Sequence, residues 1–523
     1  MKSGLLVLLL TVAPAYVAAK HQVRMRAPQE IVTLVSQRED MKPWEGRSPS
    51  ELLAWLNRGV RFDCDDDALV SKFYYTKLVL LANMLKEGIY DRPYVIEGGV
   101  YRAFWFESVP VTMQVFSRID METAKAQMQQ FIKHQMADGY VPYKIMSKGP
   151  GERSIGYGWI AFAAWHLYLL DGDKVWLESF YAPLGRWIEW MGKFRDANQN
   201  GLYEAWSPGD MGHDFSARFQ GLPLHVDNLR IPPKGTPTPY DAPDVNALMH
   251  LEMLSLGEIA DVLGKLSEAQ EWRRRATVLR ERVNQVLWDE ETTSYYDRDS
   301  KGQFVKMIGE VLLRPINGGL PTEQMARRIF EKHILNPSAF WTACPLPSFS
   351  LSDPLTTPAK PNTWSGPTMG LTVLRAPYGF QVYGRDRELR EVLRRFLTAV
   401  VRQKATFQQY HPVTGEGGAP EEVQLYSPTA AVVLDGVARL YGIVPRGEHL
   451  EWRADSPAGS RRSSFEMDLG GKTYRLECDG GRCNGYLGSQ RLFRVNAPST
   501  VHTDRAGKRV PADIVRDFPR RSS

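Results

Sequence analysis

Trp272-Arg-Arg-Arg-Ala276-Thr-Val-Leu279-Arg-Glu-Arg-Val283-Asn-Gln-Val286 sets its apolar residues apart by four, three, four and three positions. That spacing places them on one face of an α-helix and leaves most of the charged residues on the other. Leu389, Leu393, Phe396 and Val400 repeat the step for three intervals. Similar patterns predict helices over 67–90, 121–137, 155–170, 174–194, 244–263, 322–334, 366–383 and 428–442, about a dozen with shorter pieces. The connections 145–153, 206–243 and 345–364 are long and rich in Gly, Pro and aromatic residues. Long ordered loops usually carry function, and two concentric layers of helices, with these loops gathered at one end, fit the pattern.

After Pro445 the texture changes to short runs at 464–469, 472–478 and 490–495, separated by Gly-Gly, Asp-Gly-Gly and Asn-Gly. These are strands and tight turns, so residues 446–523 read as a small β domain packed on a helical body of residues 61–445. Residues 20–60 form a lead-in segment. Residues 1–19 carry one cation, Lys2, an apolar run at 5–12 and small residues up to Ala19, the pattern of a secretory signal. The protein is expected to be secreted or periplasmic, with no membrane span once the signal is removed.

The chain has 523 residues, 43% of them hydrophobic, and a formal charge of +5. That length buries one large core with a small appended domain. Lys and Arg are interspersed with Asp and Glu except near the end, which gives no case for nucleic acid; residues 505–521 read as a solvated basic tail. Cys478 and Cys483 bracket Asp-Gly-Gly-Arg and are placed to close a hairpin. Cys64 and Cys344 are buried thiols or a long-range pair.

Asp196-x-Asn198-x-Asn200-Gly201-Leu202-x-Glu204 spaces oxygen ligands at positions 1, 3 and 5 around a glycine at 6, with the Leu202 carbonyl as a further ligand. The loop is either a structural calcium site or a polar turn in which Asp and Asn bond their own backbone. No organic cofactor is expected.

Trp105-Phe-Glu107-Ser108, Asp138-Gly-Tyr-Val-Pro142, the 196–204 loop, His213-Asp214-Phe-Ser-Ala-Arg218, Trp364-Ser-Gly-Pro367 and Tyr410-x-Pro-x-Thr-Gly-Glu416 occur in that order. The order resembles the inverting α-glycosidases of the trehalase, family 63 glucosidase and mannosylglycerate hydrolase group. The resemblance covers about residues 60–445. It implies a mainly α fold, an (α/α)6 barrel with a small C-terminal β domain, and hydrolysis of an α-linked disaccharide or non-reducing terminal sugar.

Asp214 matches the group's general acid; by position alone it would read as a helix N-cap. An acid working at neutral pH has to keep its proton, through burial or a neighbouring negative charge; His213, Phe215 and Phe219 are the expected cover. Trp105, Glu107, Arg218, Trp364, Gln408 and Tyr410 are the expected sugar-binding residues, with Trp206 a further stacking face. Glu107 stands where the group has aspartate.

The group's base glutamate falls on Gln408, and an amide cannot accept that proton. Inversion needs a carboxylate roughly 6.5–9.5 Å from the acid, with a water between. Glu416, Glu421 or Glu422 on the following loop, or Asp210, is expected to supply it. Otherwise catalysis is lost and the protein is a carbohydrate-binding protein on the same scaffold.

Overall fold

The computed structural model describes residues 25–360, 363–418, 424–515, 518 and 519. The signal segment, Glu421 and Glu422 therefore lie outside the described residues.

Twelve helices of the described residues build the body: α1 (Asp67–Ala82), α2 (Val109–Phe116), α3 (Met121–Lys133), α4 (Ile160–Asp171), α5 (Lys174–Phe194), α6 (Pro243–Leu263), α7 (Leu266–Val286), α8 (Glu310–Asn317), α9 (Glu323–Ile329), α10 (Gly370–Val382), α11 (Asp386–Val401) and α12 (Ser427–Tyr441). The predicted stripe on α7 is buried at Ala276, Leu279 and Val283, with Trp272 and Val286 part-buried against the core. On α11 the stripe lies under Leu389, Leu393, Phe396 and Val400. These are one-sided helices. By contrast α12 buries every residue from Ser427 to Tyr441, and α6 every residue from Pro243 to Ala260.

The contacts explain the difference. Helices α2, α4, α6, α8, α10 and α12 touch in that order, and α12 returns to α2. Outside them α3 packs on α2, α5 on α4, α7 on α6, α11 on α10 and α1 on α12. An inner helix has neighbours on every side and so needs no polar face. Short turns lead from inner to outer helices. Between α4 and α5, Gly172 takes φ 76° and Asp173 accepts the Trp176 N–H at 3.0 Å, closing one helix and capping the next. The returns from outer to inner helices are the long connections: 83–108, 134–159, 195–242, 287–309, 335–369 and 402–426. Because paired helices run antiparallel, these returns share one end of the body.

The C-terminal region is β-rich, as expected. Its strands are β1 (Val60–Cys64), β2 (Ile443–Arg446), β3 (His449–Ala454), β4 (Arg462–Leu469), β5 (Lys472–Asp479), β6 (Arg482–Leu487), β7 (Gln490–Asn496) and β8 (Ser499–Asp504). They form antiparallel sheets of order β1-β4-β5-β6-β7 and β2-β3-β8. Strand β1 comes from the N-terminal side, with Val60 opposite Met467, so this sheet is not built from the C-terminal segment alone. Cys478 and Cys483 form a disulfide across β5 and β6, and Cys64 and Cys344 are separate buried thiols. Arg505 corrects the reading of a solvated tail: it is part-buried and donates to the carbonyls of Leu170 at 2.6 Å, Gly447 at 3.1 Å and Leu169. No helix among the described residues is long and apolar enough to cross a membrane.

Candidate active site

Five of the six long connections line one cavity. The 83–108 return supplies Glu97, Tyr101, Trp105 and Glu107; the 134–159 return, Tyr143 and Gly156; the 195–242 return, Gly209, Gly212, Asp214, Leu224 and His225; and the last two, Trp364 and Gln408. Of the sequence-predicted site residues, the fold therefore brings together Trp105, Glu107, Asp214, Trp364 and Gln408.

Asp214 is carried by a loop braced from below. Arg195, fully buried, donates to Asp210 at 2.8 and 3.3 Å, and Asp210 also accepts the N–H groups of Trp206 and Ile155 at 2.8 and 3.1 Å. A carboxylate so saturated has no lone pair for a water, so Asp210 is a brace and not a base. Trp206 lies under the Arg195 guanidinium at 3.8 Å, away from the cavity. The Trp364 N–H donates to the Asp214 carbonyl at 3.2 Å, and the His213 ring packs on Trp364 with centroids 5.2 Å apart. Burial raises the Asp214 carboxyl above its ordinary value, and Lys144 opposes the shift. His213 and Phe219 are buried as expected, but Phe215 is 61% exposed and takes a left-handed φ of 54°, so it does not cover the acid.

Glu107 sits against the same loop. Its Oε2 lies 1.3 Å from where a Cβ on Gly212 would stand, and Gly212 takes a left-handed φ of 64°, so a side chain there would be strained and would displace the carboxyl. Burial pushes Glu107 up to about 7; Arg375 pulls it down and Asp214 pushes it further up. Lys144 Nζ stands 4.4 Å from the centre of the Trp105 ring.

Arg218 is not a sugar ligand. It donates to Asp244 at 2.6 and 2.9 Å and to Asp297 at 2.6 and 2.7 Å, all buried, which leaves the guanidinium nothing to offer a substrate. Tyr410 is also core: it packs on Phe396 at 5.2 Å and its hydroxyl accepts the Phe407 N–H at 3.1 Å. Glu416 is exposed and does not line the cavity. The short strand Gly417–Gly418 pairs with Gln409–Tyr410, and His411 N–H bonds the Glu416 carbonyl at 2.8 Å, which turns the side chain outward. Gln408 does line the cavity; its backbone carbonyl accepts the Gly370 N–H at 2.9 Å, at the start of α10.

The 196–204 loop does not line this cavity and closes on itself. Asp196 accepts from Asn200 N–H at 2.9 Å, Asn198 Oδ1 from Asn200 N–H at 3.0 Å and Asn200 Oδ1 from Leu202 N–H at 2.9 Å. Glu204 accepts from Trp206 Nε1 at 2.8 Å, and Asp241 accepts from the Asn198 and Asn200 amides at 3.2 and 2.8 Å. Burial raises the carboxyls of Asp196, Glu204 and Asp241. Among the described residues no three His, Cys, Asp or Glu side chains are gathered to hold a metal ion as they stand. A cation would need these side chains to turn.

Sequence reasoning missed Glu97, whose carboxyl accepts the Tyr426 hydroxyl at 2.6 Å. Burial, then Glu107, pushes it up to about 8, against the pull of the Tyr426 hydrogen bond. Glu97-Gly98-Gly99 has no spacing that singles it out; only the return of the chain from α1 to α2 brings it here.

Residues 111–427 match the family described as the mannosylglycerate hydrolase MGH1-like glycoside hydrolase domain. The chain belongs to this family. An uncharacterized protein of Borreliella burgdorferi is 24% identical over 211 residues, 40% of each chain, so the match spans well under half of that relative. Among solved structures, a sialidase superposes with a TM-score of 0.70 at 14% identity, over 92% of this chain and 45% of its own. The family 63 mannosylglycerate hydrolase of Thermus thermophilus, in complex with Tris, gives 0.58 at 19% identity over 69% of this chain and 98% of its own. Neutral trehalase from Saccharomyces cerevisiae gives 0.56 at 11% identity, over 79% and 94%. At these identities the likeness is one of fold.

Proposed function

We propose that this member of the MGH1-like glycoside hydrolase family is an exported enzyme that hydrolyses an α-linked disaccharide or a non-reducing terminal sugar with inversion, Asp214 acting as general acid. The helices would close as an (α/α)6 barrel, a reading supported by the cyclic contacts of α2, α4, α6, α8, α10 and α12. The observation that carries the proposal is Asp214 itself, a carboxyl raised by burial on the wall of a cavity it shares with Glu97, Glu107, Trp105 and Trp364. A proton-holding carboxyl beside aromatic faces is what protonation of a glycosidic oxygen requires. The 196–204 loop would hold calcium as a structural ion, supported by the approach of Asp241 to Asn198 and Asn200.

Anomer-resolved NMR on a panel of α-linked disaccharides tests the reading, because it reports turnover, substrate and stereochemistry together. Asp214→Asn should lower kcat by about 10²–10⁴-fold, the scale of general acid catalysis, with sugar affinity kept within about tenfold. Wild-type kcat in that variant on a substrate with a poor leaving group would remove Asp214 from the role. The amide of Gln408 on the cavity wall favours a second reading, a carbohydrate-binding protein without turnover. Saturable binding with no product for any sugar of the panel would establish it.

A further inference from the structure

The cavity holds more carboxyl groups than protonation by Asp214 uses, and they are held by different partners. Glu107 lies against Gly212, on the loop of the acid itself. Glu97 belongs with Tyr101, Gln408 and Tyr426. The Tyr426 hydroxyl donates to Glu97 Oε1 at 2.6 Å, the Ser427 N–H donates to the Glu97 carbonyl at 2.8 Å, and the Tyr101 and Gln408 side chains are hydrogen-bonded to each other. The next residue, Gly98, takes φ 110° and leaves no room for a Cβ, which would stand 2.2 Å from the Leu425 carbonyl oxygen. Glu97 is thereby held from both its backbone and its carboxyl.

Gln408 supplies the second observation. It is 6% exposed, it lines the cavity, and its Oε1 has no hydrogen-bond partner among the described residues. Buried acceptors are rarely left without a donor, because their desolvation is then uncompensated. A water or a sugar hydroxyl at this wall would satisfy it.

We propose, on the hydrolase reading above, that Glu97 is the general base, taking a proton from a water whose second hydrogen is accepted by Gln408 Oε1. The water oxygen bonds to the anomeric carbon as the glycosidic C–O bond breaks. The electron pair of that bond goes to the leaving oxygen, which takes the proton of Asp214, while the proton lost by the water passes to Glu97. The products are the inverted sugar and the free alcohol; exchange with solvent returns Glu97 to carboxylate and Asp214 to acid. An amide cannot be the base, but it can orient the water for one. Glutamine at 408 is then compatible with turnover, and the base lies on the 83–108 return and not on the 416–422 loop.

The charges facing Glu97 set a pH signature. Its burial, Glu107 and Asp214 raise the carboxyl while Tyr426 and Arg375 lower it, for a balance of about 8. A base has to be ionised, so on substrates whose leaving group needs no protonation kcat/KM should rise with pH through the neutral range.

α-D-Glucosyl and α-D-mannosyl fluoride are the probes, since fluoride leaves without protonation and isolates the base from the acid. Glu97→Gln should lower kcat about 10²-fold or more with KM within about threefold, and azide should restore turnover as the β-glycosyl azide, with loss of the acidic limb. An active wild type beside a Glu97→Gln variant that keeps more than a tenth of its kcat overturns the assignment alone. A wild type inert toward both fluorides and toward α-linked disaccharides overturns the hydrolase reading and this assignment with it. Should Glu97→Gln not fold, Tyr426→Phe carries the test. Loss of the phenol donor should move the acidic limb upward by about half a pH unit or more, and an unmoved limb overturns the proposal.

Discussion

Arg218 reads as a sugar ligand in the sequence, and its surroundings instead make it a test of stability. Arg218→Met would remove four hydrogen bonds of 2.6 to 2.9 Å to Asp244 and Asp297 and leave both carboxyls buried. Removing one member of a buried pair costs about 3–5 kcal/mol. Two features put this case at the lower end. Arg314 remains 3.7 Å from Asp244, and burial has already pushed Asp297 up to about 6, so without Arg218 it takes up a proton near neutrality. With an unfolding entropy of about 2.1 cal/mol/K per residue over about 500 residues, roughly 1 kcal/mol/K in all, a loss of about 3 kcal/mol lowers Tm by about 3 °C. The sign with pH follows. The ion pair with Asp297 is complete only above its pKa, so the drop should be larger at pH 8 than at pH 5. Thermal melts at both pH values, with kcat and KM beside them, check this. An unchanged Tm together with a tenfold rise in KM would refute it and return Arg218 to the sugar.

Glu252 gives a second pH test. It is buried, accepts the N–H groups of Ala161 and Phe162 at 2.8 and 3.3 Å, and is pushed by burial up to about 8. Its folded pKa exceeds the unfolded value of about 4.3, so its contribution is full below about pH 4 and is lost as pH rises through about 8. Glu252→Gln should flatten the decline of Tm between pH 5 and 8, and a parallel decline in both proteins would count against it. For the 196–204 loop, EDTA should lower Tm and added calcium restore it by mass action; an unmoved Tm, with no metal by elemental analysis, leaves a hydrogen-bonded turn.

How far the site is legible in the sequence depends on what each residue needs from the rest of the chain. Asp214, Trp364, Trp105 and Glu107 line the cavity because short motifs on long loops keep their place in the chain order, and that order is visible in one dimension. Tyr410 sits in such a motif and still turns inward, because Phe396 of α11 receives its ring. Glu416 is expected near the sugar on the ground of its loop, but the pairing of Gly417–Gly418 with Gln409–Tyr410 points it to solvent. Glu97 carries no pattern at all; its burial and its partner Tyr426, 329 residues away, come only from closure of the chain.

The sequence by itself determined the helical body, because a stripe of apolar residues at steps of three and four can be buried in only one way, and α7 and α11 bury theirs as written. It determined the β texture after Pro445 too, since glycine pairs between short apolar runs leave the chain little choice but tight turns. Tertiary structure alone decided which helices are inner, since an inner helix such as α12 is buried all round and has no face for periodicity to mark. It also decided that Val60–Cys64 completes a sheet of residues some 400 positions later. Above all it chose among the carboxyl groups. Whether a glutamate is solvated, braced or held at a cavity wall depends on which distant donors and charges reach it, and no local spacing encodes that.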